Sequence, residues 1–340
     1  MNYYPYIKPL LFKLDAETAH YLTLKGLKLS HNIGLDQLLN PAMIENPVSL
    51  MGLNFQNPVG LAAGLDKNGD YIDALSGLGF GFIEIGTVTP RAQPGNPKPR
   101  LFRLAEHQAI INRMGFNNQG VDYLLKQVEV SQYKGVLGIN IGKNFETPID
   151  KATEDYLICF RKAYLAASYI TINISSPNTK NLRQLQQGDE IKKLLSALKE
   201  EQLKLQEEYN KYTPIVVKIA PDLSDEEIKH IAGLFIEYSI DGVIATNTTI
   251  ERDAVQGNPL AGEIGGLSGT PVKQKSTYVV ARLADELQSK IPIIAAGGIM
   301  NAVDAQEKLD AGASLVQVYS GLIYQGPELV HQIMQGLSKS

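Results

Sequence analysis

Eight short runs of β-branched and other apolar residues recur along the chain. They are Gly60–Ala62, Phe82–Ile85, Val136–Ile141, Ile170–Ile174, Ile215–Ile219, Gly242–Ala245, Ile293–Ala296 and Leu315–Val318. Near-continuous apolar character, rather than apolar–polar alternation, marks a strand covered on both faces, as parallel strands are. Between the runs, apolar positions fall at helical spacing over Tyr71–Leu78, Val121–Val128, Glu154–Ala167, Glu190–Tyr209, Asp225–Tyr238, Val272–Leu287, Ala302–Asp310 and Pro327–Gly336. Strand and helix alternating eight times predict an α/β fold, a closed parallel (β/α)8 TIM barrel rather than an open sheet. The turn after the first run, Ala62-Ala63-Gly64-Leu65-Asp66-Lys67, lacks the Gly-x-Gly-x-x-Gly of a dinucleotide-binding sheet.

Local signals agree with this division. Ser224-Asp225-Glu226-Glu227 fits a capping box, and Thr270-Pro271 offers a cap and a first-turn proline before Val272. Two connections are long, residues 88–120 and 248–270, and long connections in a compact domain are usually lids or binding loops. Residues 1–40 stand apart from the barrel of residues 41–340. Tyr3, Tyr4, Tyr6 and Ile7 precede Leu10, Leu11 and Leu14, then Asp15 offers an N-cap to a second helical stretch with Ala19, Leu22 and Leu29. Lys8, Lys13, Lys25 and Lys28 make this arm basic. Aromatic and leucine surface ringed by lysines suits a helix pair in a bilayer interface, although a helical cap on the barrel bottom or a dimer contact would show the same pattern.

Composition narrows the classes. The 340 residues exceed the roughly 250 of a typical barrel and leave room for decorations. A hydrophobic content of 44% and a charged content of 20% describe a globular chain with a full core. A net charge of −4, with no long basic block, argues against nucleic acid as a partner. The single cysteine, Cys159, excludes an internal disulfide and a self-contained four-cysteine iron–sulfur cluster. It lies in an apolar helical stretch and reads as a buried, inert thiol. The histidines at 20, 31, 107, 230 and 331 have no ligand spacing, so no metal site is expected. No stretch reaches the roughly 18–20 apolar residues of a spanning helix, and the N-terminus makes a poor signal peptide, which predicts a protein made and kept in the cytoplasm.

The chemistry gathers where the strands end. In order they lead into Lys67, Thr87, Asn140, Asn173 with Ser176, Lys218, Thr246-Asn247, Gly297-Gly298 and Tyr319-Ser320, at the barrel face where active sites sit. In barrels the loops after the last two strands commonly bind phosphate, so Gly298 and Ser320 point to a phosphorylated cofactor or a phosphorylated substrate. Lys218 should project over the barrel mouth, where a fixed cation would stabilise a reduced flavin; a Schiff-base lysine is the competing chemistry. Asn112, Asn173, Asn178 and Asn247 can read the carbonyl and N–H edges of a neutral planar ring, and Lys67 can pair with a carboxylate. A pyrimidinedione carboxylic acid has both features.

Seven segments together carry a family resemblance: Gly60-Leu61-Ala62-Ala63-Gly64-Leu65-Asp66-Lys67, Glu84-Ile85-Gly86-Thr87-Val88-Thr89-Pro90, Asn112-Arg113-Met114-Gly115-Phe116-Asn117, Asn173-Ile174-Ser175-Ser176-Pro177-Asn178-Thr179, Lys218-Ile219-Ala220-Pro221-Asp222, Thr246-Asn247-Thr248 and Gly265-Gly266-Leu267-Ser268-Gly269. The chain resembles class 2 dihydroorotate dehydrogenases, the quinone-reducing, FMN-dependent enzymes of pyrimidine biosynthesis, most of all those of Gram-negative bacteria. The resemblance implies FMN contacts from Ala63, Gly64, Leu65, Asp66, Lys67, Thr87, Asn140, Asn173, Lys218, Thr246, Gly269, Gly298, Tyr319 and Ser320. It implies substrate contacts from Lys67, Asn112, Arg113, Met114, Gly115, Phe116, Asn173, Asn178, Asn247 and Thr248, with Ser176 as the catalytic base. His20, Arg103 and Tyr319 match positions lining a quinone tunnel, beneath an arm that touches the bilayer.

The resulting expectation is oxidation of (S)-dihydroorotate to orotate, with a quinone as acceptor, by a peripheral, monomeric protein at the cytoplasmic face of the inner membrane. Serine is a poor base, so its proton must move on through water or a hydroxyl such as Thr179. Three rivals remain at this point: a soluble class 1 relative using fumarate or NAD, a flavin-dependent tRNA dihydrouridine synthase, and a non-catalytic membrane-surface flavoprotein.

Overall fold

The computed structural model describes residues 4–35, 43–179, 181–186 and 188–338. The expected boundary between arm and barrel, at residues 40 and 41, lies outside them. Among the described residues there are thirteen strands: β1 (Val48–Leu50), β2 (Leu53–Phe55), β3 (Val59–Leu61), β4 (Phe82–Val88), β5 (Leu101–Leu104), β6 (Ala109–Asn112), β7 (Val136–Ile141), β8 (Tyr169–Asn173), β9 (Ile215–Ile219), β10 (Gly242–Ala245), β11 (Gly266–Gly269), β12 (Ile293–Ala296) and β13 (Leu315–Val318). Strands β3, β4, β7, β8, β9, β10, β12 and β13 pair in parallel, in chain order, and β13 returns to β3 to close the barrel. These are the eight runs read from the sequence, displaced by at most one residue at their ends except that β4 runs three residues further, to Val88. The (β/α)8 expectation holds.

Alternation along the barrel strands explains how the site is built. Residues of one parity face the helices. Ile83, Ile85, Ile139, Ile170, Ile172, Val217 and Val243 pack there with the helical apolar stripes. The other parity fills the barrel. At its N-terminal end Phe82, Val136, Tyr169, Val216, Ile244, Ile294 and Leu315 form a dry layer, and the β1–β2 hairpin plugs it with Phe55 edge-on to Phe82 at 5.1 Å. Two residues further along the same strands, the inward positions turn polar: Glu84, Thr171, Lys218 and Gln317. One layer higher come Asn140 and Asn173. Apolar packing at the bottom therefore anchors strands whose upper ends carry the chemistry.

Helix ends follow the sequence with one exception. Asp15 caps α2 (Ala16–Asn32) by accepting the Thr18 N–H at 2.9 Å, and Ser224 and Glu227 complete the capping box. Thr270 is not a cap. It lies inside a one-turn 3-10 helix, Thr270–Val272, preceded by Gly269, and its hydroxyl points to Gln108. The two long connections are more ordered than lids: β5, β6 and β11 form an antiparallel sheet across the barrel mouth, with Gly266 opposite Asn112. Cys159 is fully buried, and burial pushes its thiol well up.

The arm consists of α1 (Tyr4–Leu11) and α2. It sits beside the barrel mouth, not beneath the barrel. Tyr4 donates to the Ile323 carbonyl, Lys8 to that of Tyr324 at 2.8 Å, and Arg103 to those of Leu11, Phe12 and Leu14. Glu17, buried, takes a two-pronged ion pair from Arg100 at 2.8 and 3.2 Å. On its outer face the arm exposes Tyr6, Leu10, Leu22, Leu29 and Ile33. No described helix is long and apolar enough to cross a membrane.

Candidate active site

The polar ends of the barrel strands open into one cavity. Its wall is assembled from all quarters of the barrel: Ala63, Gly64 and Lys67 after β3, Thr87 on β4, Asn173 and Ser176 from β8, Lys218 on β9, Thr246 to Thr248 after β10, Gly297 and Gly298 after β12, Tyr319 and Ser320 after β13. The sheet over the mouth adds Asn112, Met114, Gly115, Phe116, Ser268 and Gly269. Nearly every residue that the resemblance implies is thus brought to one space.

Four expected residues stand elsewhere. Asn140 is buried below the wall and accepts from Thr87 at 2.6 Å and from Asn173 at 3.2 Å. Leu65 faces a second cavity. Asp66 turns away from the wall and takes the backbone N–H groups of Asn68, Gly69, Asp70 and Tyr71, fixing the loop that carries Lys67; burial raises its carboxyl to about 6 against those bonds. The guanidinium of Arg113 is engaged by Glu263 at 2.5 Å and lies over the Phe102 ring, so only its backbone adjoins the substrate loop.

The asparagines form two hydrogen-bonded groups. Asn178 donates to Asn112 at 3.1 Å, tying the β8 loop to the β6 loop. Asn247 donates to Ser175 at 3.0 Å, and Asn173 donates to Thr87 at 3.0 Å. Ser176 accepts the Asn178 N–H at 3.2 Å. Buried oxygens with no protein partner, among the described residues, include Thr179 Oγ1, Thr248 Oγ1 and Gln317 Oε1. Thr248 and Gln317 line the cavity. Buried polar atoms without partners are expensive, so these mark where a ligand or water completes the bonding.

Several contributors were not singled out from the sequence. Glu84 lies at the barrel axis and accepts from Asn140 at 2.8 Å, Gln317 at 2.9 Å, Tyr169 at 3.0 Å and Thr171 at 3.1 Å. Its charge faces Lys218, whose ammonium burial holds down while Glu84 holds it up. Arg183 clamps the β8, β9 and β10 loops by reaching Ser175 O, Asp222 and Thr248 O at 3.0, 2.8 and 2.8 Å. Ser268 meets Ser320 at 2.8 Å. Glu84 and Gln317 had a visible signal, a charge or amide at an inward position of an otherwise apolar strand.

A second cavity lies between the arm and the barrel. Its wall is mostly apolar: Ile7, Leu11, Phe12, Leu24, Leu65, Leu101, Ile110 and Leu322 among others. His20, Arg103 and Tyr319 all lie on it, and Tyr319 is also on the wall of the first. Burial, helped by the charge of Lys67, pulls the His20 imidazole down to about 3, which leaves it neutral. Burial, with Arg100 adding to it and Glu17 and Asp66 opposing, lowers the Lys67 ammonium to about 8.

Comparison with known proteins places this geometry. The family model for dihydroorotate dehydrogenase matches residues 46–340. A protein of Chromobacterium violaceum named dihydroorotate dehydrogenase (quinone) is 64% identical over 96% of this chain and 95% of its own length. Proteins of the same name from Nitrosospira multiformis and Neisseria meningitidis serogroup A are 60% and 58% identical, covering 98% and 99% of this chain and 95% and 100% of theirs. Among solved structures, DHODH of Eimeria tenella in complex with ferulenol superposes with a TM-score of 0.85 at 39% identity, over 94% of this chain and 90% of that one.

Proposed function

The chain belongs to the dihydroorotate dehydrogenase family, and from that membership we propose that it oxidises (S)-dihydroorotate to orotate in pyrimidine biosynthesis and delivers the electrons to a quinone. The observation that carries this is the pair of cavities sharing Tyr319, one lined by amides and hydroxyls and the other apolar beneath the arm. The relatives' common name favours the quinone branch over the soluble one.

FMN is the cofactor we assign to the first cavity, and the residues present suit it. Lys218 offers a buried ammonium on the wall, Gln317 offers a free acceptor, and the Gly297–Gly298 backbone with Ser320 suits the phosphate. A bound flavin would supply two-electron chemistry, with dihydroorotate as hydride donor and a quinone as final acceptor. The protein does the rest. Lys218 supplies a fixed positive charge where negative charge develops. Thr87, Asn173, Thr246, Gly269 and Tyr319 complete the wall for the cofactor, while Leu65, Asp66 and Asn140 shape it from behind.

Lys67 pairs with the substrate carboxylate. Asn112, Asn173, Asn178 and Asn247, with Thr248 and the backbone of Arg113 to Phe116, read the ring edges and orient C5 towards Ser176. Ser176 takes the C5 proton. Thr179, whose buried hydroxyl lacks a protein partner, stands three residues away in the same loop to pass that proton on.

The exposed apolar face of α1 and α2, flanked by Lys13, Lys25 and Lys28, supports a peripheral position on the cytoplasmic face of the inner membrane. Quinone then enters the second cavity directly from lipid, past His20 and Arg103. The purified protein should be yellow and bleach on anaerobic addition of dihydroorotate. Its colour should return when a quinone is added. A colourless protein that takes up no FMN, or a yellow one that dihydroorotate leaves oxidised, would overturn the assignment.

A further inference from the structure

Outside the cavity wall, a lysine is buried in the seam between two barrel helices. Lys308, on the helix Ala302–Asp310, is 0% exposed. Its ammonium donates to three oxygens at the start of the helix Lys273–Leu287: the Lys273 carbonyl at 2.9 Å, Ser276 Oγ at 3.0 Å and Thr277 Oγ1 at 2.7 Å. An ammonium only donates. The single hydrogen of Ser276 is therefore sent elsewhere, to the carbonyl of Ala296 at 2.7 Å. Thr277 likewise donates to the Lys273 carbonyl at 2.9 Å.

Ala296 is the last residue of β12, and Gly297 and Gly298 follow it. Both glycines have positive φ, +124° and +73°. Both are also pressed onto the helix turn that Lys308 organises. A Cβ on Gly297 would lie 2.9 Å from Ser276 Oγ, and one on Gly298 would lie 2.5 Å from the Lys273 Cα. At its far side the same loop is held by Asp304, which accepts the Met300 N–H at 2.9 Å and pairs with Lys273 at 2.9 Å. The charged groups around Lys308 are thus Lys273, Asp304 and Glu307. Burial brings its ammonium down to about 7, against the pull of Glu307 and Asp304. A charge kept at that cost needs a structural or electrostatic use.

We propose that Lys308 is a positioning residue for the cofactor phosphate: through Ser276 it fixes the Ala296–Gly298 turn in the form whose backbone receives the anion, and it lends a positive charge behind that turn. The inference rests on the phosphate placement proposed above. It predicts a role confined to the phosphate, because neither Lys308 nor Ser276 lines the cavity itself and both act through the turn.

The test compares FMN with riboflavin, which lacks the phosphate, on the full-length chain stripped of flavin and titrated with each. The native protein should bind FMN more tightly than riboflavin. Lys308→Met should weaken FMN about tenfold, as for loss of a buried hydrogen bond to a charged group, while riboflavin affinity stays within about twofold. Ser276→Ala, which removes only the connecting hydroxyl, should show the same selectivity even if Lys308→Met folds poorly. If FMN and riboflavin weaken together in Ser276→Ala, or neither changes, the inference is overturned. A native protein that binds both flavins equally would instead overturn the phosphate placement.

Discussion

Replacing Ser176 by alanine separates the base from everything that holds the ligands. The Ser176 hydroxyl lines the cavity and accepts the Asn178 N–H at 3.2 Å, while the Asn178–Asn112 bridge at 3.1 Å does not depend on it. Losing that acceptor costs local stability about 1 kcal/mol, which leaves the loop in place. What disappears is the proton acceptor at C5. A positioned general base is worth about 10²–10⁴ in rate, so flavin reduction by dihydroorotate should slow by that factor, about 3–5 kcal/mol of barrier. The assay is anaerobic stopped-flow mixing with flavin absorbance as the readout, followed by reoxidation with a quinone. Reoxidation should stay within about twofold of native, because the apolar cavity is untouched. In the native protein the reductive rate should rise with pH, since a neutral hydroxyl must shed its proton; the alanine variant should lose that slope. Reduction within about tenfold of native would remove Ser176 from the base role, and equal slowing of both half reactions would mean that the cofactor site itself had moved.

Lys67, lowered to about 8, should lose its charge as pH rises through that value, so the affinity of the free enzyme for orotate should fall above pH 8 and not below it; Lys67→Arg should carry the fall to higher pH, and an unshifted profile would release Lys67 from carboxylate binding. Gly298→Ala would force a Cβ to within 2.5 Å of Lys273 Cα at a φ of +73°, and the purified protein should retain at most about a tenth of its flavin as judged by absorbance, a displacement costing about 1–3 kcal/mol. Burial raises the Glu17 carboxyl, but Arg100 and Lys98 outweigh it and hold the net value below the ordinary 4.5. The folded value is the depressed one, so the docking energy is fully present above 4.5 and drains away as pH falls through the folded value. Glu17→Gln should loosen the arm at neutral pH by about 1.5–3 kcal/mol, the worth of a charge-assisted hydrogen bond, since Arg100 keeps the Pro94 and Asn96 carbonyls, seen as faster proteolysis within α1 and α2 and poorer turnover of long-chain quinones with dihydroorotate-driven bleaching intact.

The barrel was legible because parallel strands buried on both faces must be apolar almost throughout, and eight such runs alternating with helices fit few architectures besides a closed barrel. The polar residues at their ends were legible for the complementary reason: in a run that is otherwise Val and Ile, Asn140, Asn173 and Lys218 are conspicuous. The same contrast existed at Glu84 and Gln317, but an isolated polar residue inside a strand is silent about which way it faces until the register with its neighbours is known. Strands β5, β6 and β11 were opaque in a different way. Each is four residues long, and their pairing joins positions 109–112 to 266–269, which no local pattern reports. The motif residues around Arg113 show a further limit. Sequence places Arg113 in the substrate loop, yet Glu263, far along the chain, takes its guanidinium away.

The wall between the two cavities imposes a constraint on the second half reaction. Reduction of a quinone to a quinol consumes protons, and among the described residues the apolar cavity contains no group poised to release one near neutrality. His20 is held neutral at about 3, Tyr319 and Tyr4 are pushed by burial to about 12, and Arg103 remains a cation. Lys67 reinforces this from the other side, since its positive charge is one of the two causes of the neutral imidazole. The substrate cavity, by contrast, contains the Ser176 hydroxyl and an ammonium near 8, with the buried, unpartnered Thr179 hydroxyl three residues from Ser176. If Ser176 and Lys67 act as proposed, proton handling falls to the barrel loops, while the side chains of the apolar cavity supply no proton of their own to the quinone.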